Sequence, residues 1–147
     1  MWRTIGQKGT IERLSRSVAE GTTHHAYLFM GAPRTGKRTL AIEFACALNC
    51  ESDNDVPCGS CRSCTRILES KHADVHSITL DESGAAESSV GEEDGRRQRT
   101  RILTEQIEDL QHASTLPPYE GRFKVMLVEH ADRMTDAAAN RILKVLE

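Results

Sequence analysis

Apolar and polar residues follow two rhythms along this chain. Ile5, Ile11, Leu14 and Val18 recur at helical spacing and outline an amphipathic helix from about residue 8 to 20, with Gly21 as its stop. Ala26 to Met30 is a short apolar run with aromatics, bounded by a turn, and reads as a buried strand. Helical spacing returns from Thr39 to Asn49, where Leu40, Phe44 and Leu48 face a core and Ala41 and Ala45 permit close packing. A short helix then carries Ile67 and Leu68, and Val75-His76-Ser77-Ile78 alternates as a second strand. Leu103, Ile107 and Leu110 share the face of a further helix, which Pro117-Pro118 ends. Glu120-Gly121-Arg122 turns the chain into a third strand, Lys124 to Val128. Thr135 is placed to cap a last helix, with Asp136 in its first turn and Ala138, Ile142 and Val145 as its stripe. Strands alternating with helices predict an α/β fold with a parallel, doubly wound sheet. No internal repeat is visible.

Residues 81 to 101 break both rhythms. Asp81, Glu82, Glu87, Glu92, Glu93 and Asp94 are acidic, and Arg96, Arg97, Arg99 and Arg101 are basic, with Val90 the one branched apolar residue until the following segment. Such a stretch buries too little surface to order itself and is expected to be a disordered insertion. The last helical stripe runs to Leu146-Glu147 without a capping glycine or proline, so the chain is expected to be the front of a longer protein.

The bulk numbers restrict the function classes. At 147 residues the chain suits one domain with a real core, and its net charge of −3 gives no global pull toward nucleic acid or membrane. No run of 18 apolar residues and no signal-peptide pattern occurs, so a cytoplasmic location is expected. There, five cysteines favour metal ligation over disulfides.

The first candidate chemistry follows the 26–30 run directly. Gly31-Ala-Pro-Arg-Thr-Gly36-Lys37 between a strand and a helix matches a phosphate-binding loop. Its two glycines let backbone N–H groups turn inward round phosphate oxygens, Lys37 supplies a point charge, and the helix start adds a partial positive end. An ordinary Gly-Pro turn is the bland alternative. The pattern asks for a hydroxyl straight after the lysine to ligate Mg²⁺, and here that position is Arg38, with Thr39 one place later. Arginine donates only and cannot ligate a cation. A second acidic signature is expected at the end of an apolar strand. There Glu129 stands where a metal-binding aspartate would be, and His130 stands where a water-orienting glutamate would be. ATP with Mg²⁺ is thus the implied ligand, phosphate cradling survives, and hydrolysis is impaired at three positions.

The second candidate is Cys50-x7-Cys58-x2-Cys61-x2-Cys64, four thiols within fifteen residues, with Gly59 and Ser60 allowing the tight turn. Four thiolates satisfy tetrahedral Zn²⁺ with no open position, which makes a structural site. An iron–sulfur cluster and scattered free cysteines are the alternatives. Cys46 is left over and suits the core, and His72, His76 and His112 give no comparable geometry.

These residues carry a resemblance. His25-Ala-Tyr-Leu-Phe29, Ala47-Leu-Asn-Cys50, Pro57-Cys-Gly-Ser-Cys61, Glu120-Gly-Arg-Phe-Lys-Val125 and Ala131-Asp-Arg-Met-Thr135 through Leu143-Lys-Val-Leu-Glu147 resemble bacterial DNA polymerase III clamp-loader subunits. The likeness covers nearly the whole chain except residues 81 to 101. Two members share it, the gamma/tau motor and delta-prime. In delta-prime the hydroxyl after the lysine and the acidic motif are often degraded, so Arg38, Glu129 and His130 favour the delta-prime type, with a gamma/tau-type ATPase as the alternative. The resemblance implies an AAA+ domain over residues 1–147, truncated before a lid domain, with an inserted zinc module at 50–64. It implies gamma/tau and delta subunits, the sliding clamp and primed DNA as partners, and DNA replication as the setting. Cofactor-binding residues would be Gly31, Gly36, Lys37, Arg38, Thr39 and Glu129, and zinc ligands Cys50, Cys58, Cys61 and Cys64. A zinc-dependent DNA-binding module using Arg62, Arg66 and Lys71 is a further reading, with Glu69 among them weakening phosphate contact.

Overall fold

The computed structural model describes residues 2–79, 102 and 104–146. The expected disordered insertion at 81–101 and the helical position of Leu103 lie outside them. The element order is α1 (Lys8–Ala19), α2 (Lys37–Leu48), α3 (Arg62–Leu68), β1 (Val75–Ile78), α4 (Thr104–Thr115), β2 (Val125–Val128), a 3₁₀ turn (Ala131–Arg133) and α5 (Asp136–Leu146). The chain divides into two compact units, Met1–His76 with Pro117–Leu127, and Ser77–Leu116 with Val128–Glu147.

β1 and β2 form a two-stranded sheet. The Val125 N–H donates to the Asp74 carbonyl at 2.8 Å and the Glu129 N–H to the Ile78 carbonyl at 2.9 Å. Both strands advance four residues in the same sense between these bonds, so the pair is parallel. Parallel neighbours need a long crossover, and α4 lies within it.

In the first unit, α2 is buried on two sides. Leu40, Phe44 and Leu48 pack with Leu14 of α1, and Trp2, Ile11, Val18 and Phe29 close that cluster. Ala45 and Cys46 pack with Cys50, Cys64 and Ile67, against which Ile42, Val56, Val75 and Val125 lie. Burying such an aliphatic side chain contributes about 1.5–3 kcal/mol, so a helix apolar on two sides is fixed firmly in place. Glu43, on the same helix, is buried yet satisfied: its carboxylate accepts the Arg3 N–H at 2.7 Å, the Thr4 N–H at 3.2 Å and the Thr4 hydroxyl at 2.8 Å.

In the second unit, Ile102, Ile107 and Ala138 form the core, with Ile78, Val128, Met134 and Ile142 packed against it. Ile102 makes an isolated parallel bridge with Met134. Thr135 caps α5 as its sequence predicts, its hydroxyl accepting the Ala138 N–H at 3.2 Å. Among the described residues, no helix is long and apolar enough to cross a membrane.

Three expectations are corrected. Ala26 to Met30 is neither a strand nor buried: Leu28 is 75% and Met30 82% exposed, while Phe29 packs against the core cluster and Tyr27 stands edge-on to its Phe44. An apolar run becomes a strand only when a neighbour supplies its ladder, and among the described residues the named strands are β1 and β2 alone. Among the described residues the sheet expected to be doubly wound has two strands. Ile5 lies before α1 and is 95% exposed rather than on its apolar face.

Candidate functional site

The four cysteines predicted as ligands come together. Their Sγ atoms all lie within 4.8 Å of one another, Cys50 and Cys64 buried and Cys58 and Cys61 half-buried. Two local features build the cluster. Gly59 takes φ +73° in the turn between Cys58 and Cys61, a conformation other residues resist, and Cys61 caps α3, its sulfur accepting the Cys64 N–H at 3.4 Å. The Cys61 N–H donates to the Cys58 sulfur at 3.3 Å and the Cys58 N–H to the Cys50 sulfur at 3.4 Å.

Backbone donors aimed at sulfur favour the thiolate. The N–H groups of Ser60 and Cys61 bring the Cys58 thiol down to about 6, whereas burial pushes Cys64 up. Four soft donors, with N–H groups supporting the sulfurs, are the donor set of a closed tetrahedral metal site. Cys46 stands apart as a core residue: burial pushes its thiol up to about 11, and its sulfur donates to the Cys64 carbonyl at 3.8 Å.

Around this cluster lies a polar clamp that sequence reasoning missed. The Asp74 carboxylate, 0% exposed, accepts the backbone N–H groups of Tyr119 at 2.6 Å, Glu120 at 2.7 Å and Gly121 at 2.7 Å. Burial raises its pKa, but the three donors outweigh burial and hold the carboxyl below its ordinary value. His72, expected to stand alone, is buried between two partners. The Asp74 N–H donates to its Nδ1 at 3.1 Å, leaving Nε2 to carry the proton toward the Ser63 hydroxyl at 2.9 Å. Asn49 pairs with Phe123 in both directions, its amide donating to the Phe123 carbonyl at 3.0 Å and its oxygen accepting the Phe123 N–H at 2.8 Å.

Gly121 is required by this approach, because a Cβ there would sit 2.6 Å from the Asn49 oxygen. Glu120 completes the turn, accepting from Arg66 at 2.7 Å and from the Ala73 N–H at 3.2 Å. Arg122 donates to the Cys50 carbonyl. The available signal was positional: Asn49 and Ser63 each directly precede a cysteine of the cluster, and His72 and Asp74 lie within the three residues before β1.

The glycine loop is held differently. Lys37 reaches back to donate to the Gly31 carbonyl at 2.9 Å and the Ala32 carbonyl at 2.7 Å, and the Thr35 hydroxyl donates to Ala32 at 2.9 Å. Gly36, at φ +79°, turns the chain into α2 and lets Leu40 begin the helical ladder on its carbonyl at 2.9 Å. Arg38 and Thr39 are exposed on the first turn of α2. Gly31, Gly36, Lys37, Arg38 and Thr39 all belong to the first unit, and Glu129 belongs to the second, half-buried at the end of β2. His130 follows it at φ +54° and starts the 3₁₀ turn.

A family described as "DNA polymerase III, delta subunit" matches residues 6–147. The chain is similar to DNA polymerase III subunit delta′ of Bacillus subtilis, 33% identical over 99% of this chain and 40% of the relative. It is similar to subunit tau of Salmonella typhimurium, 34% identical over 97% of this chain and 20% of that relative. Subunit gamma/tau of Mycobacterium tuberculosis is 31% identical over 97% of this chain and 22% of its own length. The chain thus spans two fifths or less of these relatives, and through its match over residues 6–147 it belongs to the DNA polymerase III delta subunit family.

Proposed function

We propose that this chain is the AAA+ region of a delta-prime-type subunit of the DNA polymerase III clamp loader. It works in DNA replication as an assembly element whose own ATP hydrolysis is weak or lost. The observation that carries this reading is Arg38, directly after the loop lysine, where hydrolysis needs a hydroxyl on Mg²⁺. Glu129 and His130 support it, and so does Lys37, whose ammonium is hydrogen-bonded to its own loop. Gamma/tau and delta subunits, the sliding clamp and primed DNA are the partners, and the cytoplasm is the location.

Zn²⁺ is the metal that fits the four thiols. Tetrahedral Zn–S bonds of about 2.3 Å put sulfurs about 3.8 Å apart, which lies inside the observed 4.8 Å limit. Cys50, Cys58, Cys61 and Cys64 would hold it, and it would supply structural cross-linking of the loop to α3 with no open coordination position.

The second reading is a gamma/tau-type ATPase in which the exposed Thr39 serves the nucleotide's metal in place of Arg38. One experiment separates the two: clamp loading by a reconstituted loader with clamp, primed DNA and ATP, with wild-type protein or Lys37→Ala. Unchanged loading is the expected result. Loss of loading, with folding and zinc content intact, would overturn the delta-prime reading.

A further inference from the structure

The clamp residues and the cysteines are joined through the backbone at three places. Asn49, which pairs with Phe123 in both directions, directly precedes Cys50. Arg122 donates to the carbonyl of Cys50 itself. Ser63, which directly precedes Cys64, holds His72, and His72 holds the N–H of Asp74, whose carboxylate gathers the N–H groups of Tyr119, Glu120 and Gly121. A further contact is the Ser63 N–H, which donates to Glu51 at 3.2 Å. Three N–H groups of the turn 119–123 are therefore held by Asp74, which connects to Cys64 through His72 and Ser63, and the Phe123 N–H is held by Asn49, which abuts Cys50. The turn ends two residues before β2 and carries Tyr119, 87% exposed.

We propose that Asn49, Arg122 and the Ser63–His72–Asp74 chain are positioning residues that transmit occupancy of the four-cysteine site to the turn 119–123, so that a bound divalent cation orders this turn. The inference rests on the reading of Cys50, Cys58, Cys61 and Cys64 as a metal site. Its physical basis is that a cation fixing the sulfurs of Cys50 and Cys64 also fixes the adjoining peptide groups. Those peptide groups aim Asn49 and Ser63, and the Cys50 carbonyl anchors Arg122. Groups outside the ligand shell orient ligands in this way and commonly alter metal affinity by about 10–100-fold when removed. Coupling of this sort is reciprocal: if the cation tightens the turn, loosening the turn must weaken the cation by the same factor.

The test is amide hydrogen exchange on the chelator-stripped, reduced protein, before and after addition of Zn²⁺, with Zn²⁺ affinity measured in parallel. Saturation at one ion per chain should slow exchange at Tyr119, Glu120, Gly121 and Phe123 at least about tenfold, with amides of α4 as internal reference. Asn49→Ala and Arg122→Ala should each weaken Zn²⁺ by about tenfold and speed exchange at the turn even when zinc is saturating. Arg122 is exposed, so its variant keeps the test valid should Asn49→Ala fail to fold. Stoichiometric zinc with unaltered exchange at the turn would overturn the coupling and leave the metal reading standing, as would wild-type affinity in both variants. Failure to bind zinc at all would overturn both.

Discussion

Two loops in the first unit each lead into a helix, the glycine loop into α2 and the cysteine loop into α3, and each uses a glycine at positive φ to make its turn. Both carry local bonds, but they differ in the reach of the side-chain bonds around them. In the glycine loop, the side-chain hydrogen bonds of Thr35 and Lys37 join residues three to six positions apart, at the surface. Around the cysteine loop, the bonds made by Asp74, Asn49 and Arg122 join residues 45 to 74 positions apart, and their central groups are buried. A loop tied to itself keeps its form whatever the rest of the chain does, and losing one bond exposes its partner to water. A loop tied across the chain forms only with the whole unit, and losing one bond strands a buried group. The difference predicts where substitutions are felt.

The sharpest break in the comparison is Asp74→Ala. It leaves three turn N–H groups without an acceptor at roughly 1–3 kcal/mol each, so a loss of about 3 kcal/mol or more is expected in urea unfolding. The same group gives a pH signature. Its folded-state pKa lies below the unfolded value, so its stabilisation is fully present above about pH 4 and is lost as pH falls through the folded value. Asp74→Asn should therefore flatten the acid limb of the stability profile, and an unchanged limb would remove Asp74 from the account.

A smaller effect is expected at Gly121→Ala. The new Cβ meets the Asn49 oxygen at 2.6 Å, so the Asn49–Phe123 pair must open, at about 1–3 kcal/mol. Thermal unfolding of this variant combined with Asn49→Ala should show a sub-additive loss, because both break one contact.

The smallest effect belongs to the glycine loop. Lys37→Ala removes two exposed bonds within the loop and should change stability by no more than about 0.5 kcal/mol in the same urea assay. A loss comparable with that of Asp74→Ala would mean that the two loops are not held differently after all.

The same contrast explains how much could be read from the sequence. Helix faces were legible because burial follows spacing: Leu40, Phe44, Leu48, Ile107, Leu110 and Ala138 are all buried on the faces their periodicity assigns. The thiol cluster was legible because its spacing is local. The clamp was not, because Asn49, His72 and Asp74 are polar residues without periodicity whose partners lie far along the chain. Gly121 gave only the bland signal of a turn, although what requires it is the approach of Asn49. The 26–30 run was misread because apolar content records a demand for cover, whereas a strand also needs a neighbouring backbone.

Ile102 has a consequence for how this chain can vary. Its N–H donates to the Arg133 carbonyl at 3.1 Å, its own carbonyl accepts from the Thr135 N–H at 3.1 Å, and its side chain shares a core cluster with Ile78. Ile102 thus joins β1 and the entry to α5 at one buried position. A change of size at Ile102 would therefore be felt at once by β1 and by the entry to α5, which no substitution on a single helix face would do.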